Sequence, residues 1–138
     1  MTDNRLDLEP FRKATQTLER ALNAYAADEE NEFIRDACIQ RFEYCYDLAT
    51  KMIKRHLKIT EDDPSAVEAM TAQDRIRRAY DIGIIPNSWD KWWEYRDDRA
   101  ATSHGYTEER AKAIVEKLPV FYNEIRTLLD NLSAFHET

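Results

Sequence analysis

Apolar residues recur at intervals of three and four along most of the chain, which is the period of one face of an α-helix. Three long helices follow from this pattern, with bounds of about Leu8 to Tyr25, Glu30 to Leu57 and Thr107 to Leu132. The second has apolar side chains on two adjacent faces, which predicts a central position in a helical bundle. Asp28 is its predicted N-cap residue.

The segment after the second helix is more polar. A loop with at most one short turn of helix is predicted from Ile59 to Met70, because this stretch is acidic and contains Pro64. Within it, Ser65 to Glu68 has the spacing of a capping box. A helix from about Ala72 to Ile82 follows, and Gly83 ends it.

A further helix begins after Pro86, where Asn87 or Ser88 can accept hydrogen bonds from free backbone N–H groups. It is predicted to end within the Ser103–Gly105 region, because Gly105 can adopt the left-handed conformation that closes many helices. The last helix then starts at the next capping residue.

The last helix contains Pro119, which is expected to kink it or split it near Lys117, and the tail from Ser133 to Thr138 is expected to fray. Only two glycines and four prolines occur in 138 residues, which disfavours a fold of many strands. Apolar residues make up 43% of the chain and charged residues 34%, as in ordinary globular proteins. The sequence therefore predicts one domain over residues 1–138, an all-α antiparallel bundle of about five helices.

The net charge of −7 disfavours nonspecific binding to nucleic acid, so that any contact with RNA must be local. Cys38 and Cys45 lie about 10 Å apart along one predicted helix, so they cannot pair and are interpreted as reduced core thiols. No other metal-binding side chains accompany them, so they do not indicate a metal site. The sequence also contains no phosphate-binding glycine loop, so we expect no cofactor. The chain has no signal peptide or long apolar run, which predicts a cytoplasmic protein without a membrane segment.

The candidate chemistry lies on the helix after Pro86. At about 100° per residue, one stripe of this helix joins tryptophans to polar side chains: Trp89, Trp92, Arg96, Arg99 and Ser103. Arg99 and His104 are separated by roughly 140°, so a shared site requires a frayed last turn or a second copy of the chain. We favour a symmetric homodimer, because Trp89, Trp92 and Trp93 are a large aromatic surface for one solvated helix.

The motif Arg99-x4-His104-x-Tyr106 resembles the Arg-x(4-6)-His signature of the HEPN superfamily, in the extended form of bacterial HEPN toxins that pair with minimal nucleotidyltransferases. Two other segments, Ile39–Leu48 and Arg78–Ile85, resemble those of the nucleotidyltransferase substrate-binding subgroup. The resemblance covers roughly Phe33 to Leu132 and implies a HEPN-like up-and-down bundle.

The resemblance also implies a mechanism, metal-independent RNA cleavage. In it, His104 acts as general acid or base, and Arg99 stabilises the charged phosphorane, with Arg96 and Ser103 as supporting RNA contacts. One position departs from the family pattern, because Ala100 follows the arginine where HEPN ribonucleases usually carry a polar residue, often Asn.

For the partner, the resemblance implies a cognate minimal nucleotidyltransferase that transfers AMP to Tyr106 and thereby silences the nuclease. Two functions therefore remain open from the sequence. The chain is either a HEPN ribonuclease toxin or a noncatalytic substrate-binding subunit of a nucleotidyltransferase.

Overall fold

The computed structural model describes residues 6–137, and every regular element in that range is an α-helix. The six helices are α1 (Glu9–Ala27), α2 (Glu32–Thr60), α3 (Pro64–Ala69), α4 (Ala72–Asp81), α5 (Trp89–Thr102) and α6 (Glu108–His136). The prediction of an all-α fold is confirmed, with the short α3 lying inside the segment predicted as a loop with one helical turn. Within the described range no helix is both long and apolar enough to cross a membrane.

The long helices form an up-and-down bundle in which α2 and α6 run in the same direction. Arg35 near the start of α2 pairs with Glu108 at the start of α6, and His56 near the end of α2 contacts His136 at the end of α6. Contacts of the opposite order show that α1 and α5 run antiparallel to these two helices. The start of α2 and the start of α6 therefore lie at the same end of the bundle as the end of α5.

A chain of buried aromatic rings joins α2, α5 and α6. Phe42 meets Phe121 edge to face with ring centres 4.8 Å apart, Tyr95 lies 5.1 Å from Phe121, and Trp92 lies 5.3 Å from Tyr95. All four side chains are at most 4% exposed. Each such pair contributes about 0.5–1.5 kcal/mol beyond the burial of its area. This packing sets the position of α5, the helix that carries the motif.

A buried carboxylate holds the start of α5 against α6. Glu124 accepts hydrogen bonds from Asn87 Nδ2 at 2.8 Å and from the Tyr95 hydroxyl at 3.0 Å. Burial raises the pKa of Glu124, and the hydrogen bonds from Asn87 and Tyr95 oppose that rise. Asn87 is thus bound to α6, and Ser88, which occupies the N-cap position of α5, makes no capping hydrogen bond with its side chain. The prediction that one of them caps this helix through its side chain is therefore wrong.

Two other cap predictions are corrected. Asn31, and not Asp28, caps α2 by accepting from two backbone N–H groups of the first turn, because the helix begins later than the sequence indicated. Asp63 caps α3 by accepting from the backbone N–H of Ser65, so the predicted capping box starting at Ser65 is wrong. The capping box of α4 at Thr71 is present.

The last helix is longer than the sequence indicated. It is continuous from Glu108 through Pro119 to His136, so the proline does not split it. The prediction that the tail frays from Ser133 is wrong as far as His136, because His136 is 7% exposed and its Nε2 lies 2.9 Å from His56 Nδ1. This buried contact stabilises the final turn.

Both cysteines are free thiols in the core, as predicted. Cys38 and Cys45 each donate from Sγ to a backbone carbonyl of α1 at 3.3 Å. Burial raises the pKa of Cys38 to about 11 and that of Cys45 to about 12. Neither thiol has the exposure or the thiolate character that a reactive cysteine requires.

Candidate functional site

The chain reverses direction between α5 and α6 through a short turn that carries the motif histidine and tyrosine. The last residue of α5 is Thr102, and Ser103 follows as its C-cap residue. Gly105 has a φ of +77°, which is the left-handed conformation predicted for it. Thr107 then caps α6 by accepting from a backbone N–H of its first turn at 3.1 Å. Gly105 and Thr107 therefore determine where the turn leaves α5 and where it enters α6.

Arg99 is held by two carboxylates of α2. Its Nε and Nη2 donate to the two oxygens of Asp47 at 3.2 and 3.1 Å, and its Nη1 donates to Glu43 Oε2 at 3.2 Å. Nη1 also donates to Ser103 Oγ at 3.0 Å. The hydrogen bond to Asp47 raises the pKa of Arg99 above its usual value. The bidentate pairing orients the guanidinium as well as keeping it charged.

Glu43 and Asp47 are site residues that the sequence pattern does not reveal. Their spacing of four places them on one face of α2, and two carboxylates on one face indicate a cation between or beside them. That cation, Arg99, is 52 residues beyond Asp47 in the chain, so no local pattern connects them.

A surface groove of about 480 Å³ lies beside Arg99. It is lined by Gln40, Arg41, Glu43, Tyr44, Asp47 and Arg99. Two arginines and two carboxylates in this lining cancel in formal charge, so the groove of one chain does not attract a polyanion by charge alone. Tyr44 is 56% exposed and offers the groove an aromatic face.

Asp98 points the opposite way, towards α6. Its side chain is only 7% exposed and accepts from Arg110 Nη2 at 3.0 Å and from Lys117 Nζ at 2.8 Å. Two consecutive residues, Asp98 and Arg99, thus attach the end of α5 to two different helices. The next residue, Ala100, is exposed.

The histidine and the tyrosine of the motif lie on the surface of the turn. His104 is exposed, and Tyr106 is 37% exposed. Among residues 6–137 no hydrogen bond joins the side chains of His104 and Arg99. The structure therefore brings the three motif residues to one end of the bundle, without an Arg–His hydrogen bond between side chains among residues 6–137.

The predicted stripe of α5 is divided between core and surface. Trp92 is 1% exposed and packs in the aromatic core, so the prediction that it belongs to a solvated aromatic surface of this helix is wrong. Trp89 is half-buried, and the guanidinium of Arg96 lies 5.9 Å from the centre of its ring, within cation–π distance. Trp93 lies outside the stripe and is 53% exposed. It remains as the large exposed indole of this helix.

Comparisons with known proteins bear on the identity of the chain. Residues 6–134 match the family described as nucleotidyltransferase substrate binding protein like. A Haemophilus influenzae protein described as a probable ribonuclease HepT is 37% identical over 94 residues, which are 68% of this chain and 64% of that protein. The chain thus spans slightly less than two thirds of the length of this relative.

Two solved structures share the fold. A Haemophilus influenzae protein, described as having the fold of a substrate-binding domain of a nucleotidyltransferase, has a TM-score of 0.84 and 30% identity over 91% of this chain and 98% of that one. A crystal structure of a protein from Thermus thermophilus has a TM-score of 0.71 and 28% identity over 88% of this chain and 98% of that one. With the helical bundle and the motif at the end of α5, these matches show that the chain belongs to the HEPN-type family of nucleotidyltransferase substrate-binding-like proteins.

Proposed function

We propose that this chain is the HEPN component of a bacterial toxin–antitoxin pair with a minimal nucleotidyltransferase, an endoribonuclease that AMP transfer to Tyr106 silences. The observation that carries the proposal is the arrangement at the end of α5. Arg99 is fixed there by two carboxylates, and His104 and Tyr106 follow in an exposed turn. The family match, and the relative described as a probable ribonuclease, support the same assignment.

The proposed cleavage uses groups that the chain itself supplies. The 2′-oxygen of a ribose attacks the adjacent phosphorus, its proton passes to a base, and the bond from phosphorus to the 5′-oxygen breaks as that oxygen receives a proton. His104 is the acid or base in these transfers, because histidine is the side chain that most often serves as a general acid or base. Arg99 stabilises the charge on the phosphorane, with Arg96 and Ser103 as supporting contacts.

A homodimer would complete this site. In one chain no hydrogen bond joins the described side chains of Arg99 and His104, and the groove beside Arg99 has no excess of positive charge, so we assign the missing groups to a second copy. The exposed indole of Trp93 is a candidate contact between the copies. Sedimentation equilibrium at tens of micromolar should show a dimer that Trp93→Glu shifts towards monomer. A native chain that sediments only as monomer would contradict this part of the proposal.

The ribonuclease is tested by incubating single-stranded RNA with the native chain and with His104→Ala. Loss of a general acid or base should reduce the cleavage rate by about 10²- to 10⁴-fold. Arg77→Ala, which removes an exposed arginine of α4 away from the motif, is the matched control and should cleave as the native chain does. Equal cleavage by native and His104→Ala proteins would remove His104 from the mechanism.

The AMP transfer is tested by mass spectrometry after incubation with the cognate nucleotidyltransferase, ATP and Mg²⁺. The native chain should gain mass in steps of one AMP, and Tyr106→Phe should not, because the phenolic oxygen is the proposed acceptor. Ser103→Ala, which removes a neighbouring hydroxyl, should be modified normally. Undiminished modification of Tyr106→Phe would exclude this tyrosine as the acceptor.

A second function, that of a noncatalytic substrate-binding subunit, is favoured by one observation. Ala100 stands where the ribonucleases of the family usually carry a polar residue. On this alternative the native chain takes AMP at Tyr106 but cleaves no RNA. Ala100→Asn then distinguishes two cases. Cleavage of RNA by this variant would mean that only a positioning group is missing, and no cleavage would mean that the site lacks catalytic capacity.

A further inference from the structure

Arg35 is a buried cation whose hydrogen bonds are incomplete. It lies in the first turn of α2 and is 4% exposed. Its Nη2 lies 3.3 Å from Glu108 Oε1, and no acceptor among residues 6–137 reaches its Nε. The side chain of Glu108 is 69% exposed, so this ion pair is too solvated to offset the cost of burying a guanidinium. Stability alone does not account for an arginine at this position.

The surroundings of Arg35 favour an anion. Glu108 is the first residue of α6, so the guanidinium lies at the end of that helix where unpaired N–H groups and the helix dipole are positive. Tyr106 stands two residues before Glu108. Burial raises the pKa of the Tyr106 hydroxyl, Asp36 adds to that rise, and the charge of Arg35 opposes it. Tyr106 therefore lies in the turn that leads directly into Glu108, the residue with which Arg35 pairs.

We propose that Arg35 binds the phosphate that becomes attached to Tyr106, and that it releases Glu108 to do so. This inference rests on the proposed function, in which Tyr106 is the AMP acceptor. The Nε and Nη2 edge of a guanidinium matches two oxygens of one phosphate, and in the unmodified chain half of that edge has no acceptor among the described residues. Glu108 loses little on release, because its side chain is already 69% exposed and solvated.

The ligand is created when the partner enzyme transfers AMP from its co-substrate ATP to Tyr106. The Tyr106 oxygen forms a bond to the α-phosphorus of ATP, the bond from that phosphorus to the pyrophosphate oxygen breaks, and the phenolic proton passes to a base or to water. The product is a phosphodiester with one negative charge. Binding by Arg35 would hold this group against the start of α6 and fix the motif turn around it.

The phosphate site can be tested without the transferase by Tyr106→phosphotyrosine, introduced during translation, because it places a phosphate on the same oxygen. In the otherwise native chain this change should raise the thermal midpoint by about 3–6 °C, which is the scale of one strong charge-assisted contact in a domain of this size. In Arg35→Gln the rise should disappear. In Glu108→Gln it should become larger, because the competing carboxylate is gone.

Lys112→Gln is the matched control, because it also removes a cation that pairs with Glu108 but leaves Arg35 in place. It should retain the full rise. An equal rise in the native chain and in Arg35→Gln would overturn the proposal. If Arg35→Gln fails to fold, Glu108→Gln decides, and a rise no larger than that of the native chain would count against Arg35.

The AMP-transfer assay separates this inference from the function on which it rests. If the transferase modifies the native chain but phosphate at position 106 gives no rise that depends on Arg35, the inference fails and the proposed function stands. If phosphate stabilises the chain through Arg35 but no AMP is transferred to Tyr106, the proposed function fails, and with it the adenylyl group as the natural ligand of Arg35.

Discussion

Acidification should destabilise the fold through the buried pair of histidines at the far end of the bundle. His56 Nδ1 lies 2.9 Å from His136 Nε2, and the two residues are 2% and 7% exposed. The backbone N–H of Leu6 donates to His136 Nδ1 at 3.5 Å, so His136 carries its proton on Nε2 and donates it to His56. Both rings are therefore neutral in the folded chain, and a further proton on His56 Nδ1 or His136 Nδ1 removes an acceptor.

The size of the effect follows from the pKa of His56. Burial lowers this pKa from 6.5 to about 4, the proximity of His136 adds to the decrease, and Glu61 opposes it. Burial also lowers the pKa of His136, against the effect of Glu137, which is itself paired with Arg12.

The folded chain binds a proton on His56 more weakly than the unfolded chain does. The neutral His56 therefore contributes its full stabilisation above pH 6.5, and this contribution is lost as the pH falls towards 4. At pH 5 the loss from His56 alone is about 2 kcal/mol.

Urea unfolding at pH 7 and pH 5, followed by the fluorescence of the core Trp92, measures this loss. His56→Gln keeps a polar side chain of similar reach but cannot titrate, so its stability should fall by about 2 kcal/mol less than that of the native chain between the two pH values. His104→Gln, which removes the exposed histidine of the motif, should follow the native chain. If the native and His56→Gln proteins lose equal stability on acidification, the buried pair is not the cause and the reasoning is refuted.

Three further predictions concern other buried polar groups. Asp98→Asn should lower the free energy of unfolding by about 1–2 kcal/mol in urea titrations, because its two cationic partners on α6 lose their buried counter-charge. Arg35→Met should leave that free energy unchanged or raise it by up to about 1 kcal/mol, because it removes a buried charge with an unpaired donor, and a loss above about 2 kcal/mol would contradict this. Ellman's reagent at pH 8 should label neither Cys38 nor Cys45 until denaturant is added, because both thiols are buried and their pKa values are raised.

The sequence predicts the helices well, because helical periodicity and the scarcity of glycine are properties of neighbouring residues. It predicts caps less reliably. Asp28 and Asn31 are both good capping residues three positions apart, so residue type alone does not decide which of them starts α2. Asn87 is similar, since its role depends on Glu124, a residue 37 positions further along the chain.

In the site, too, local features were predictable from the sequence and contacts between distant residues were not. The motif itself is local, and the left-handed conformation of Gly105 within it was predictable from the residue type. The partners of Arg99 were not, because they come from a helix more than fifty residues earlier. The burial of His136 was missed for the same reason, since its partner His56 is 80 residues away and a histidine near a chain end is ordinarily expected to be solvated.

The exposure of Ala100 has an evolutionary consequence. A side chain at this position projects from the last turns of α5 into solvent, and the preceding residues Asp98 and Arg99 already attach this part of the helix to its neighbours. Exchange of Ala for Asn there costs at most about 0.7 kcal/mol of helix propensity and requires no repacking. That cost is small beside the roughly 5–15 kcal/mol by which domains of this kind are usually stable. A lineage could therefore gain or lose the polar residue of the motif many times without passing through a chain that fails to fold.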